Sequence, residues 1–389
     1  MGLTEEFIQC DQILFEDREG WVIDRNENAL YKIDLLNDIC KLISILPTPL
    51  SITEEELPFY RINPHCYKKD KDLFCIPDRG DCIVVYDIKK KEISRIAIAN
   101  PDSVRLGICY FWEYDEKLFA ISYGLKKVLV VNIGERKVEE YVDIFDKADV
   151  LPGHEARRVN DSIFCISRNS NKIYEFDMDS MKSTVYEPAG LSEGLYAICY
   201  EDDRFWLSGI SGKIYIWEKT NKKIVELDNY PEGFSIQRTV SDTGIPVFYK
   251  SFVAGDNICF LPINLDYNQL LCIDRRDDRM RLINLLEDGD RRRGMYTLEY
   301  IREDNVIGIL FSENNYISEI HLDSNTFRKR FLKKQNRVAK LYRDMQMQAI
   351  IYENAPNALK IYERIVQSYS RGPLEVSHEY GKKIFKSDF

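Results

Sequence analysis

Six basic side chains, Arg61, Arg105, Arg157, Arg158, Lys250 and Arg293, stand at or just ahead of short apolar runs. Tyr60, Tyr196, Tyr249 and Tyr296 lie close by in the sequence. Guanidinium groups grip carboxylate or phosphate through paired N–H donors, and tyrosine rings stack on sugars or bases. Gathered in one place, such residues would receive an anionic ligand. The alternative is that they pair with Glu155, Glu193 or Asp102, or face solvent. For proton transfer the chain offers Glu193 and His154, either of which could act as acid or base beside a bound substrate.

Metal chemistry has less to draw on. The histidines are His65, His154, His321 and His378, spread over the whole chain. A site built from His65 and His154 would need carboxylates such as Glu155 and Glu193, and no ligand spacing ties the four together. No metal or other cofactor is expected. GxGxxG, GxxxxGK[ST], HExxH and GxSxG are all missing. Asp24-Arg25-Asn26-Glu27-Asn28 begins like a calcium loop, but Ala29 and Leu35 stand where glycine and glutamate are required. A hairpin turn explains it.

These residues must be positioned by a repeated element, and the repeat is the main signal. A strand that ends in a polar, usually acidic residue returns along the chain. Examples are Leu30-Tyr31-Lys32-Ile33-Asp34, Val84-Val85-Tyr86-Asp87, Tyr174-Glu175-Phe176-Asp177 and Leu271-Cys272-Ile273-Asp274. The anchors at 34, 87, 132, 177, 218, 274 and 321 are 53, 45, 45, 41, 56 and 47 residues apart. Ahead of each lies another apolar run, such as Lys117-Leu118-Phe119-Ala120-Ile121. After it comes a polar turn and an alternating strand, such as Glu92-Ile93-Ser94-Arg95-Ile96-Ala97-Ile98. Period-two alternation bounded by turn residues marks half-buried antiparallel strands. Four strands per unit, with no helical pattern between units, argue against a βαβ fold and match the blade of a propeller.

Over residues 7–335 the chain resembles the seven-bladed β-propeller superfamily that holds the WD-repeat and kelch proteins. The resemblance rests on repeat length and strand order. No unit has the Gly-His and Trp-Asp pairs of WD repeats or the double glycine of kelch units. It implies an all-β protein of seven four-stranded antiparallel blades, like an uncharacterised bacterial propeller, and carries no residue roles. The entries to the inner strands would ring one mouth of the central channel. The expected ligand-binding set there is Arg61, Arg105, His154, Arg158, Glu193, Tyr196, Tyr249, Lys250 and Tyr296.

The propeller is expected to fill residues 1–335, with a partly helical tail over 336–389. Asn354-Ala355-Pro356 reads as a helix start, and Leu359, Tyr362, Ile365, Val366 and Tyr369 follow at helical spacing. An eighth blade, anchored near Tyr362-Glu363, is the alternative. A net charge of -10 argues against a nucleic-acid binder. The basic run from Arg328 to Arg343 reads as a solvated strand edge or linker. With no signal-like or membrane-spanning stretch, the expected location is the cytoplasm. The ten cysteines form no CxxC pair and read as small core residues in a reducing compartment. The expected function is a non-catalytic scaffold that binds a protein, peptide or glycan. The alternative is a channel-mouth lyase or hydrolase acting on an anionic sugar, lactone or peptide.

Overall fold

The structure, a computed structural model, describes residues 8–334 apart from 9, 11, 17–18, 25–27, 48–62, 64, 79, 100–105, 147–151, 221–222, 235–246, 263–268, 286–295, 302–304 and 312–315. At 109, 152–154, 223, 296–300 and 310–311 it describes the backbone alone. The tail with its helix or eighth blade therefore lies outside the described residues.

Among the described residues, strands form seven sheets of four antiparallel strands each, at 13–45, 65–97, 108–143, 152–186, 195–227, 248–284 and 296–330. Each sheet is a meander of consecutive strands. The first strands line a common axis and pack on one another most closely across blades 4, 5 and 6. This is a seven-bladed β-propeller, and its strands are inner, second, third and outer, counted from the axis.

Burial accounts for the sequence pattern. In blade 3, Leu118 and Ala120 of the second strand (Lys117–Ser122) pack toward blade 2 with Phe74, Ile83 and Val85. Phe119 and Ile121 of the same strand pack toward blade 4 with Ile163, Cys165 and Tyr174. A strand buried on both faces reads as an unbroken apolar run. The outer strand of blade 2 (Glu92–Ala97) buries only Ile96 and is otherwise exposed or half-buried. All nine described cysteines are free and buried, as small core residues should be.

The acidic anchors have a local cause. Asp34 Oδ1 accepts the Leu36 amide at 2.9 Å, and Asp87 Oδ1 accepts those of Lys89 and Lys90 at 3.0 and 2.9 Å. Asn132, Asp177 and Asp274 accept the amides of Glu135, Ser180 and Arg276 in the same way. Each side chain closes the turn into the outer strand, which is what short Asp and Asn side chains do best. Four residues after the anchor the backbone turns left-handed, at Asp38, Lys91, Arg136, Met181, Asp278 and Asn325, with φ between 51° and 61°.

Blades are latched to their neighbours by side chains. Arg136 of blade 3 reaches Asp72 of blade 2 at 2.8 Å, and Lys219 of blade 5 reaches Glu175 of blade 4 at 2.7 Å. The ring closes by a strap. Lys333–Lys334 runs parallel to the outer strand of blade 1 (Ile39–Ile45) as a fifth strand. Lys334 Nζ stands 3.0 Å from Asp24 Oδ2, with both side chains buried. Arg330 joins Glu319 of its own blade to Asp38 of blade 1, at 3.3 and 3.1 Å. Part of the basic run is thus stitched into the seam between first and last blades.

The Lys71 ammonium and the Lys90 amide hold the Asp87 carboxyl down at about 2. A carboxyl depressed on folding contributes stability above its unfolded value of about 3.9 that fades as pH falls toward the folded one. Asp87→Asn should melt below the wild type at neutral pH, and the gap should narrow between about pH 4 and about pH 2. A gap that stays constant across that range in thermal melts contradicts the assignment.

Candidate functional site at the propeller axis

An inner strand has one paired edge and one edge that faces the axis. Its axial N–H and C=O groups need partners from elsewhere. Here the inner strands are also bulged near their entries. In blades 3, 5 and 6 one residue is left over against the second strand, at Cys109, Tyr196 and Tyr249. In blade 4 the register slips between Pro152 and Ala156, so that residues 153–155 oppose Ile166. A bulge turns a side chain away from the strand's ordinary alternation. The blade 4 bulge sends Glu155 across the axis.

Glu155 is fully buried and joins three blades. Its Oε2 accepts the Ile198 amide from the inner strand of blade 5 (Leu195–Glu201) at 2.8 Å. Both oxygens accept the Ser251 amide from the inner strand of blade 6 (Phe248–Ala254) at 3.0 Å, and the Ser251 hydroxyl donates to Oε2 at 2.8 Å. Arg157, two residues along the same strand, donates to Glu155 Oε1 and to the Ser251 carbonyl. Its Nη1 donates to the Ala156 carbonyl at 3.0 Å. One acid and one base therefore satisfy the Ile198 and Ser251 amides and the Ser251 carbonyl on the axial edges of two neighbouring inner strands.

The electrostatics follow from that position. Burial pushes the Glu155 carboxyl above its ordinary value, while the Arg157 charge and the Ser251 and Ile198 hydrogen bonds pull it back. Burial works against the charged form of Arg157, but the Glu155 carboxylate beside it prevails and raises its value. Glu155 is fully buried with both oxygens bonded, and the part-buried Arg157 stands against it as its counter-charge, the condition under which a buried carboxylate is tolerated.

The other residues expected at the mouth are placed as follows. Tyr196 is buried at the entry of the blade 5 inner strand, with the Arg168 guanidinium 4.8 Å above its ring. Tyr249 and Lys250 hold the matching positions in blade 6 and are half-buried. Glu193 precedes the blade 5 inner strand and clamps a turn of its own blade. It accepts the Ser211 amide and hydroxyl at 2.7 Å and the Tyr215 hydroxyl at 2.6 Å. A side chain at Gly209 would push the carboxylate out of this clamp.

Arg158 is exposed near the far end of its strand, beside the hairpin into the second strand. It donates to the Glu113 carbonyl at 2.6 Å and lies over the Tyr114 ring, away from the entry. His154 and Tyr296 are on inner strands, but their side chains lie outside the described set, as do Arg61 and Arg105 entirely. The structure thus brings Tyr196, Tyr249 and Lys250 to inner-strand entries, Glu193 just ahead of one, and Arg158 to the other end. Sequence reading missed Ser251. Its one signal is a small polar residue inside an otherwise apolar and aromatic strand, Phe248-Tyr249-Lys250-Ser251-Phe252-Val253-Ala254.

No protein-family model matches the chain, and neither does any curated protein. Solved structures do. A streptogramin B lyase aligns with a TM-score of 0.55 at 14% identity, covering 80% of this chain and 93% of the lyase. BamB from Moraxella catarrhalis aligns at 0.51 and 11% identity, covering 79% and 83%. The computationally designed Ika8 protein aligns at 0.52 and 9% identity, covering 84% and 88%. At these identities the likeness is one of fold, and the fold it supports is the β-propeller.

Proposed function

We propose that the protein is a non-catalytic binding scaffold whose entry face receives a protein, peptide or glycan partner. The observation that carries this reading is an asymmetry of connections. On the hairpin face, strands join through two to five residues, as at 70–71, 88–91 and 275–279. On the entry face, blades join through 19 residues at 46–64, 10 at 98–107, 20 at 228–247 and 11 at 285–295. Long connections on a rigid scaffold are where recognition is carried. The carboxylates that could have moved protons have other employment: Glu155 holds strand edges and Glu193 holds a turn. We place the protein in the cytoplasm, in keeping with its free described cysteines.

A channel-mouth enzyme remains the second reading, and one observation favours it: a buried carboxyl raised by its surroundings sits beside an arginine at the axis. The two readings differ over Glu155. As a structural lock, Glu155→Gln and Arg157→Gln should each cost about 3 to 5 kcal/mol in denaturant unfolding, the usual penalty for stranding half of a buried pair. The double variant should cost clearly less than the sum, because the two residues act as one unit. Additive or negligible losses in that cycle contradict the lock.

Binding is tested directly with the immobilised full chain on peptide and glycan arrays. The scaffold reading predicts retained ligands whose binding weakens roughly tenfold or more in Tyr249→Ala/Lys250→Ala, as for loss of central contacts. Arg279→Ala, on the hairpin face, should leave binding unchanged. Ligands that are cleaved or rearranged on the array, and spared by Glu155→Gln, would transfer the function to the enzyme reading.

A further inference from the structure

Blade 6 holds two thiols in contact. Cys259 of its second strand (Asn257–Pro262) and Cys272 of its third (Gln269–Asp274) are register partners, with sulfurs 3.4 Å apart and both residues fully buried. The ladder fixes what kind of pair this is. The Arg275 amide donates to the Asp256 carbonyl at 3.0 Å, so 256 and 275 are a hydrogen-bonded pair. Alternation then makes Cys259 and Cys272 a non-hydrogen-bonded pair, the type whose Cα atoms stand about 4.5 Å apart. That separation lies inside the span of about 4.4 to 6.8 Å that a disulfide bridges without moving the backbone.

A cleft lies near the pair on the same face. A cleft of about 460 Å³ opens on the hairpin side, lined by Asn257, Asp274 and Arg281 among others. Asn257 and Asp274 are the register pair next to the thiols on their face of the sheet, and Arg281 is the partner of Cys272 on the outer strand. The lining of the cleft thus stops at the next register pair on that face, and the sulfurs are closed off behind it. A second opposed pair, Cys66 and Cys75 of blade 2, is arranged differently, because the Cys66 sulfur is turned to the Trp21 carbonyl at 4.0 Å.

We propose that Cys259 and Cys272 form a reversible redox site, closed to a cross-strand disulfide by hydrogen peroxide admitted from this cleft when blade 6 opens locally. One sulfur attacks the peroxide O–O bond, becomes a sulfenic acid and releases one water. The second thiol displaces that hydroxyl as a second water, leaving the S–S bond. Both thiol hydrogens go into water; the sulfurs are oxidised and the peroxide is reduced. Burial and the neighbouring thiol hold Cys259 well above its ordinary value, and Arg281 only partly offsets them. Thiolate is therefore scarce and closure is slow, a response to sustained exposure. The bond ties the second and third strands where blade 6 packs on Ile307, Ile309 and Ile320 of blade 7, and should stiffen that interface.

The test exposes the folded full-length protein to graded hydrogen peroxide, alkylates remaining thiols in denaturant, and maps disulfide-linked peptides by mass spectrometry. The expected result is a Cys259–Cys272 crosslink ahead of any Cys66–Cys75 crosslink. It should be reversed by dithiothreitol and accompanied by a rise of a few degrees in melting temperature. Cys259→Ala and Cys272→Ala should each abolish the crosslink and the rise. Should both thiols stay alkylatable until the protein unfolds, or oxidise singly to sulfinic acid, the proposal is overturned. Mapping of the unmutated protein decides this even where a variant folds poorly.

Discussion

A ring of blades leaves the inner edge of every sheet facing the same narrow space, and each unmet backbone group there costs about 1 to 3 kcal/mol. In this protein the side chains of one blade meet that demand for its neighbours. Glu155 takes the axial amides of Ile198 and Ser251, and Arg157 takes the Ser251 carbonyl. Three blades are fastened through one carboxylate. The arrangement depends on the bulge at 153–155, which is larger than the single-residue bulges in the inner strands of blades 3, 5 and 6.

The rest of the disc repeats a similar economy at lower stakes. Five of the blades close their outer turn with an Asp or Asn side chain, and basic residues from one blade reach carboxylates on the one before it. Most of these contacts are partly exposed and are worth little singly. The seam between blades 7 and 1 is the exception. There Lys334 and Asp24 are both buried, and a two-residue parallel strand takes the place of a long terminal overlap. Stability in such a ring is a sum over blades and their interfaces; the seam joins the two ends of the chain's blade order, and the axis draws in blades that are not neighbours, 4 and 6.

Much of this fold was legible because it is local. The anchors at 34, 87, 132, 177 and 274 sit where their side chains cap a turn, and the turn is set by residues within reach of each other in sequence. The apolar runs follow from burial on both faces. The site was less legible because it is made from residues 43 and 96 positions apart. Arg157 and Arg158 are adjacent in sequence, yet a strand's alternation sends one to the axis and the other toward Tyr114. Glu193 reads in sequence as a candidate acid or base ahead of an inner strand, and only the fold of blade 5 brings Ser211 and Tyr215 to it. Alternation and bulges decide direction, and neither can be counted off without the partner strand.

The central claim is that a side chain from blade 4 protects the axial backbone of blades 5 and 6. Amide hydrogen exchange at Ile198 and Ser251 tests it most directly, since neither amide is bonded to a neighbouring strand of its own sheet. The account predicts that both exchange as slowly as core ladder amides such as that of Phe260, and that Glu155→Gln speeds these two selectively. If Ile198 and Ser251 exchange at loop rates in the unmutated protein, the axis is not held in the way described.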